Sequence, residues 1–251
     1  MESGVMSQDL YSNYVKREPS PRNAQIIRRW HRKLLEMYLS EFDRPISILE
    51  VGPGHGYFAN ECTNAGIEYK YCDTSPAVHE KMKSLGFHGE LGLLHETSSS
   101  MNNFDLIWMS HVLEHSPDWL GARELVSEVR RRLSPNGRVV IISPDVLSWR
   151  REFWNVDWSH GYPTSLRNCV QLLSDVGYNN IRGWHHRNAS SGFLTRALFA
   201  LIALVPHRIL DRILTPDRYR IGDGMVYSWK AVFGWRQIFV SGTREDLASN
   251  K

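Results

Sequence analysis

The sequence predicts one α/β domain built around a mostly parallel β-sheet. Short β-branched runs alternate along the chain with segments of helical spacing, which is the pattern of parallel βαβ units. One apolar run, residues 46–51, leads directly into closely spaced glycines and then into a helix, an arrangement that brings backbone close to a ligand. These observations predict a Rossmann-like sheet of seven strands with helices on both faces, an N-terminal helix and a helical insertion before the last strand.

Composition and charge narrow the class of protein. The chain has 251 residues, of which 42% are hydrophobic and 23% charged, as in ordinary soluble domains. The formal net charge of +3 is too small to indicate a nucleic-acid partner. The three cysteines form no CxxC pair, which favours a reducing cytoplasm. The longest apolar run, residues 197–206, is about half of the roughly 20 residues that a membrane span requires.

The first half of the chain carries clear signals for each element. Apolar residues recur at helical spacing from Ile26 to Leu39, which predicts a helix over residues 21–40. Ser75 is expected to cap a helix that begins at Pro76, since a hydroxyl can accept from a first-turn N–H and proline needs none there. The predicted elements are strands at 46–51, 68–73, 87–91 and 104–109, and helices at 58–65 and 76–85.

The second half continues the alternation. The amphipathic segment 118–133 ends in three arginines, which suit the C-terminal end of a helix. A Pro-Asn-Gly turn then leads into a strand at 138–143, and Gly177 is a typical C-cap for a helix over 164–176. Strands are predicted at 180–185 and 235–241, and the roughly fifty residues between them are too many for a simple connection.

The glycines after the first strand and an acidic residue after the second strand suggest a nucleoside-containing ligand. Gly52, Gly54 and Gly56 are spaced GxGxG, whereas a dinucleotide site has GxGxxG; Tyr57 stands where that last glycine would be, which disfavours a dehydrogenase. Glu50 would repel a phosphate but can bind an ammonium. About 20 residues further on, the second strand ends in an aspartate that can accept hydrogen bonds from both ribose hydroxyls. The structural alternative is a turn that only permits tight helix–strand packing.

Four motifs over roughly residues 46–145 resemble successive motifs of class I S-adenosylmethionine-dependent methyltransferases. They are ILEVGPGHGYF, YCDTSPAV, FDLIWMSHVLEHSPD and LSPNGRVVIISPD. The resemblance implies S-adenosylmethionine as cofactor, with its methionine end at the glycine turn, its ribose at Asp73 and its adenine beside the loop at Leu93 and Leu94. Many relatives carry an Asp near Leu93, and this chain does not. The cofactor-binding residues implied are Glu50, Gly52, Gly54, Gly56, Asp73, Thr74, Leu93 and Ser110.

The segment after the fourth strand offers candidates for chemistry. His111, Glu114 and His115 would share one face if the backbone turns helical there. His111 is suited to take a proton from an acceptor hydroxyl near neutral pH. Two imidazoles and a carboxylate can also bind a divalent metal, and a purely structural role for Glu114 and His115 is the third alternative. Of these, the base is preferred to the metal.

A second candidate region follows the fifth strand and combines three large aromatic residues with Asp157 and His160. Aromatic faces suit flat ligands and sugar rings, and Asp157 is expected to orient His160 as a second candidate base. The run from Asp157 through SLRNCVQLLSDVGY resembles a pattern of methyltransferases from bacterial surface-polysaccharide pathways. Packing of an ordinary loop, with His160 at the start of the next helix, is the alternative.

The insertion distinguishes this chain from a minimal domain. Residues 193–214 are apolar with interspersed basic residues, so they form either a helical lid or an amphipathic helix on a membrane surface. The lid is preferred. The predicted domain covers residues 1–251, with an N-terminal helical segment (1–43), a cofactor-binding core (44–186), the insertion or lid (187–234) and the last strand and tail (235–251).

The sequence therefore predicts an O-methyltransferase whose acceptor is a sugar hydroxyl on a glycan or glycan precursor. His160, slightly preferred, and His111 are the candidate bases. A methyltransferase of a quinone, polyketide or amine, and a non-catalytic cofactor-binding scaffold, are the alternatives. A cytoplasmic protein with peripheral contact at the inner membrane surface is expected, without a nucleic-acid partner or a resident metal and with no prediction for the oligomeric state.

Overall fold

The computed structural model describes residues 21–186, 206–217 and 235–245, with the further positions 19, 201, 204, 224, 226, 227 and 230. Its strands are β1 (Ser47–Val51), β2 (Glu68–Asp73), β3 (Gly89–Leu91), β4 (Phe104–Ser110), β5 (Leu133–Pro144), β6 (Asn179–His186) and β7 (Gln237–Thr243). Its helices are α1 (Pro21–Leu39), α2 (Tyr57–Asn64), α3 (Pro76–Ser84), α4 (Trp119–Arg132), α5 (Val146–Trp149), α6 (Glu152–Val156), α7 (Leu166–Asp175) and α8 (His207–Leu214).

The seven strands form one sheet in the order β3-β2-β1-β4-β5-β7-β6. β7 runs antiparallel to both of its neighbours, and the other paired strands are parallel. The predicted Rossmann-like, mostly parallel sheet of seven strands is confirmed. The N-terminal helix is α1, and α8 is a helix of the predicted insertion before the last strand.

Several strand boundaries differ from the prediction by one or two residues, and the start of β5 differs most. β5 begins at Leu133 rather than at residue 138, because Leu133 pairs with Phe104 before the register shifts and Arg138 pairs with Leu106. The predicted turn therefore lies inside the strand as an irregularity, where Asn136 has a φ of +62°. β7 begins at residue 237 rather than 235, at the position that pairs with the end of β5.

Buried side chains alternate between the two faces of the sheet. On β4, Ile107 and Met109 pack into the core that includes residues of α4 and α7, whereas Leu106 and Trp108 pack with α1 and α2. The ring of Phe58 stacks on Trp108 with centroids 4.3 Å apart. Helices therefore cover both faces of the sheet, and the ends of the strands are the part of the sheet that they leave accessible.

The carboxyl ends of the parallel strands define the edge where a ligand is expected. Ser75 at the start of α3 accepts a hydrogen bond from the Val78 N–H at 3.3 Å, as predicted, and Gly177 after α7 has a φ of +88°. Because β7 is antiparallel, its first residue, Gln237, pairs with Pro144 and lies at this same edge.

Within the described ranges, no helix is both long enough and apolar enough to cross a membrane.

Candidate active site

The glycine turn between β1 and α2 is held in a conformation that favours glycine. Gly52, Gly54 and Gly56 all have positive φ, at +72°, +53° and +74°. A Cβ atom on Gly52 would lie 2.6 Å from Val112 Cγ2. The N–H of Gly52 donates to the Cys72 carbonyl and that of Gly56 to the Pro53 carbonyl, each at 2.9 Å. At these two positions the turn offers close backbone approach rather than free N–H donors.

Glu50 lies at the end of β1 as a buried carboxyl. It accepts a hydrogen bond from the Tyr69 hydroxyl at 2.5 Å. Burial is the main cause that raises the pKa of Glu50 to about 8; the hydrogen bond from the Tyr69 hydroxyl opposes this rise and the charge of Asp73 adds to it. Such a carboxyl gains its negative charge at neutral pH most easily when a cation binds beside it. This property suits the ammonium group expected at the methionine end of the cofactor.

Asp73 ends β2 and anchors the loop that follows β3. Its Oδ1 accepts from the Ser75 N–H at 2.7 Å, and its backbone carbonyl accepts from the Gly92 N–H at 2.9 Å. Burial raises the pKa of Asp73 to about 6, although the Ser75 N–H lowers it. Thr74 beside it is exposed. The acidic group and the 92–96 loop are therefore held together at one end of the edge.

The predicted adenine loop presents only one of its two leucines. Leu93 is 46% exposed, whereas Leu94 is 4% exposed and belongs to the core. The buried Arg132 at the end of α4 donates to the carbonyl oxygens of Leu94 and Ser98, both at 2.9 Å. Leu93 therefore remains the candidate to flank the adenine, on a loop held from beneath by a guanidinium.

His111 follows Ser110, the last residue of β4, in a left-handed conformation with a φ of +58°. Its N–H donates to the Ile142 carbonyl at 2.8 Å, which fixes the backbone. Its Nδ1 lies 3.2 Å from Glu114 Oε1, and its Nε2 lies 3.1 Å from Gln237 Nε2. The side chain is 44% exposed. His111 is thus an accessible imidazole with a carboxylate on one nitrogen and an amide on the other.

Glu114 is the buried carboxylate behind this imidazole. The Ser143 hydroxyl donates to its Oε2 at 2.8 Å and lies 2.9 Å from Thr164 Oγ1, which in turn donates to the Pro144 carbonyl. Burial would raise the pKa of Glu114, but contact with His111 and the charge of His115 outweigh that effect and hold it below its usual range. The group is therefore a carboxylate at neutral pH.

Asp157 does not orient His160, so that part of the prediction is wrong. Its Oδ1 accepts from the N–H of Ser159 at 2.9 Å and from the Ser159 hydroxyl at 2.6 Å. His160 Nδ1 instead lies 2.5 Å from the Phe153 carbonyl oxygen, and the His160 side chain is buried. The hydroxyl of Ser159 also contacts His115 Nδ1 at 2.8 Å. Asp157 thus acts on His115 through a serine.

Two further residues reach this region without having been predicted. Gln237 contacts His111 across a separation of 126 residues in the chain, which no local pattern could reveal. His31 on α1 is partly buried, and this burial followed by the charge of His111 lowers its pKa to about 3. The His31 ring also meets Phe58 edge-on at 5.8 Å. The N-terminal helix therefore contributes to the same edge of the sheet.

Comparison with known proteins decides the family. A family model described as a methyltransferase domain matches residues 22–182, well over half of the chain. The chain belongs to this methyltransferase family. The predicted class I S-adenosylmethionine-dependent methyltransferase is confirmed, and S-adenosylmethionine is the methyl donor of the family. A search of curated proteins gives no significant match.

Solved structures share the fold at low sequence identity. A SAM-dependent methyltransferase of Archaeoglobus fulgidus is 19% identical, with 86% of this chain and 94% of that chain covered and a TM-score of 0.59. The YcgJ protein of Bacillus subtilis is 16% identical, with 86% of this chain and 99% of that chain covered and a TM-score of 0.55. Phosphoethanolamine N-methyltransferase 2 of Haemonchus contortus, solved with S-adenosyl-L-methionine, is 17% identical. The match covers 83% of this chain and 51% of that chain, with a TM-score of 0.54.

The glycine turn and the ends of β1 and β2 have features that fit the predicted cofactor site. The glycine turn is left-handed, Gly52 has no room for a Cβ beside Val112, and the buried carboxyl of Glu50 lies two residues before it in the chain. Asp73 has a carboxyl group suited to ribose hydroxyls at the next strand end. The residue-by-residue assignment of the cofactor site stays a prediction, and these contacts fit it.

Proposed function

We propose that this methyltransferase methylates a sugar hydroxyl on a glycan or glycan precursor, with His111 as the base. The observation that carries the proposal is the pairing of an accessible imidazole at the end of β4 with the fully buried Glu114 carboxylate, 3.2 Å from Nδ1. A carboxylate beside Nδ1 favours the tautomer that carries its proton there. Nε2 then holds the lone pair and accepts from the Gln237 amide at 3.1 Å.

Methyl transfer to a hydroxyl requires that the acceptor and the methyl donor be correctly positioned and that one base remove the hydroxyl proton. When bound, S-adenosylmethionine would supply an activated methyl group: the acceptor oxygen bonds to the methyl carbon as the carbon–sulfur bond breaks, and S-adenosylhomocysteine is the leaving group. His111 Nε2 takes the hydroxyl proton, and Glu114 stabilises the imidazolium that results. Gln237 holds the ring from the β7 side and exchanges its hydrogen bond for that of the acceptor hydroxyl. His160, which the sequence slightly favoured, is 8% exposed and therefore less accessible to an acceptor.

Exposed aromatic side chains support a sugar as the acceptor. Trp154 and Trp158, on α6 and on the loop after it, are 47% and 69% exposed, whereas Phe153, whose ring contacts that of Trp154, is buried. The flat face of an indole suits the C–H face of a sugar ring. Amines are the competing acceptors, because a protein of the same fold is a phosphoethanolamine N-methyltransferase.

An acceptor screen tests this proposal. The protein is incubated with S-adenosylmethionine and either nucleotide sugars and glycosides or small amines, and S-adenosylhomocysteine release is measured. Methylation of a sugar is expected, and His111→Ala should lower turnover by about 10²–10⁴-fold with cofactor affinity unchanged. His88→Ala, an exposed histidine outside the site, is the control. Methylation of amines alone, or normal turnover in His111→Ala, would contradict the proposal; loss of turnover only in His160→Ala would assign the base to His160.

The proposal includes contact between the insertion and a membrane surface. Of residues 193–214, the structure describes 201, 204 and 206–214. α8 buries Asp211, which accepts from the N–H groups of Val226 and Tyr227, while Ile209 and Ile213 are exposed. A helix that buries its acidic residue and exposes its isoleucines beside arginines fits an anionic lipid surface. This exposure favours membrane contact over the lid that the sequence suggested.

A further inference from the structure

A cluster of Glu114, His115 and His160 lies beside the proposed base. Each residue offers one nitrogen or oxygen atom, and these three atoms lie within 4.8 Å of one another. The sequence grouped Glu114 and His115 with His111 as alternative ligands of a metal. The structure replaces His111 in this group with His160, which comes from the loop after α6.

The cluster is held together by a close approach of two backbone segments. The N–H groups of Gly161 and Tyr162 both donate to the Glu114 carbonyl, at 3.0 and 3.1 Å. A Cβ on Gly161 would lie 2.5 Å from the Ser116 carbonyl oxygen, so glycine is needed for this contact. The rings of His115 and His160 consequently meet edge-on with centroids 4.9 Å apart.

Hydrogen bonds fix the tautomers of both imidazoles. The Ser159 hydroxyl gives its only proton to the Asp157 carboxylate at 2.6 Å, so His115 Nδ1 must be the donor in its 2.8 Å contact with Ser159. His160 Nδ1 likewise donates to a backbone carbonyl oxygen at 2.5 Å. In both neutral rings the lone pair is then on Nε2. This is the arrangement by which proteins orient histidine ligands of metals.

Glu114 supplies the third donor and an independent reason to expect a ligand. Its side chain is 0% exposed, and the contact of Oε1 with His111 Nδ1, at 3.2 Å, is an ion-pair distance without the geometry of a hydrogen bond, so Oε1 accepts none from the described residues. A buried carboxylate oxygen without a full hydrogen bond is costly, and a cation would relieve that cost. Two imidazoles and one carboxylate form a ligand set of catalytic zinc sites, with a further position left open.

We propose that Glu114, His115 and His160 form a binding site for a divalent transition-metal ion such as Zn²⁺. Bonds of about 2.0–2.2 Å to each donor would draw the three side chains closer together than they now lie. The open coordination position would accept water or an oxygen of the acceptor. The inference concerns metal binding alone, so it stands or fails independently of which acceptor is methylated.

Metal titration of the full-length protein tests the site. After chelator treatment, the protein is titrated with Co²⁺ while visible absorption is recorded, and with Zn²⁺ in a calorimeter. One ion per chain and the absorption bands of a tetrahedral Co²⁺ site are expected. His160→Ala should weaken binding by at least about 100-fold, and Ser159→Ala, which removes the hydroxyl that contacts His115 Nδ1, by about 10–100-fold.

His88→Ala is the matched control, because this histidine is exposed and lies outside the cluster. It should bind Co²⁺ as the unchanged protein does, and circular dichroism checks the fold of each variant. If His160→Ala fails to fold, the Ser159→Ala variant decides the result. Absence of Co²⁺ binding below millimolar concentration, or equal binding in the folded variants and the unchanged protein, would overturn the proposal.

Discussion

Replacement of Gly52 by alanine should damage both stability and cofactor binding. The new Cβ would lie 2.6 Å from Val112 Cγ2, and the backbone at this position has a φ of +72°. A left-handed conformation costs a residue with a Cβ about 1–2 kcal/mol. Overlap with a packed side chain costs about 1–3 kcal/mol more. The free energy of unfolding should therefore fall by about 2–5 kcal/mol.

The chain contains a matched control for this substitution. Gly66, in the turn after α2, has a φ of +69° but nothing within 4 Å of the position of a Cβ. In Gly66→Ala the free energy of unfolding should fall only by the cost of the left-handed backbone conformation, about 1–2 kcal/mol. The difference between the two variants, about 1–3 kcal/mol, then measures the overlap with Val112. Adding Val112→Ala to Gly52→Ala should recover much of that difference, which a double-mutant cycle reports.

Urea unfolding followed by circular dichroism gives the stabilities, and calorimetry with S-adenosylhomocysteine gives the affinities. Gly52→Ala should weaken binding about tenfold or more, corresponding to at least 1.4 kcal/mol, because relief of the overlap with Val112 would displace the glycine turn. Gly66→Ala should bind normally. Equal losses of stability in Gly52→Ala and Gly66→Ala, together with unchanged cofactor affinity, would refute the steric account of the turn.

The remaining predictions concern the ribose site and the insertion. Ribose hydroxyls donate more strongly to an ionised carboxylate, so affinity for S-adenosylhomocysteine should rise with pH through the pKa of Asp73, about 6, and then level off. Calorimetry between pH 5 and 7 should show a steeper rise in the unchanged protein than in Asp73→Asn, where only the ionisation of Glu50 on binding the ammonium group contributes; identical trends would contradict the assignment. Sedimentation with anionic phosphatidylglycerol vesicles at low salt should carry the protein into the pellet, whereas the double variant Ile209→Ser, Ile213→Ser should stay in the supernatant. Equal sedimentation of both proteins would exclude α8 as the contact.

The fold was predictable because its signals are local. Ser75 and Pro76 indicate the start of a helix because their effects are confined to its first turn. Runs of β-branched residues likewise predict the buried strands of a parallel sheet from their own composition. The start of β5 was not predictable in the same way. Its first residue, Leu133, pairs with β4 across an irregular register, and the turn residues that follow do not end the strand. Such pairing depends on the partner strand rather than on the turn sequence.

The site was predictable where it lies at strand ends. Glu50, Asp73 and His111 follow or end parallel strands, so topology alone brings them to one edge. The partner of Asp157 was not found, because three residues of separation do not fix the direction of a side chain. Asp157 forms an Asx turn onto the residue two positions later, which is the usual behaviour of aspartate in a loop. An Asp-x-Ser sequence could have indicated that turn.

The conformation of His111 has a consequence for selection experiments. A non-glycine residue with a φ of +58° is held against its intrinsic preference, and glycine or asparagine would occupy the same backbone more comfortably. A library randomised at this position and selected only for resistance to heat or protease should therefore enrich glycine and asparagine, and the same clones should be poor enzymes. At this position, stability and turnover would therefore favour different residues. Selection for stability would enrich glycine and asparagine, whereas selection for activity would retain histidine.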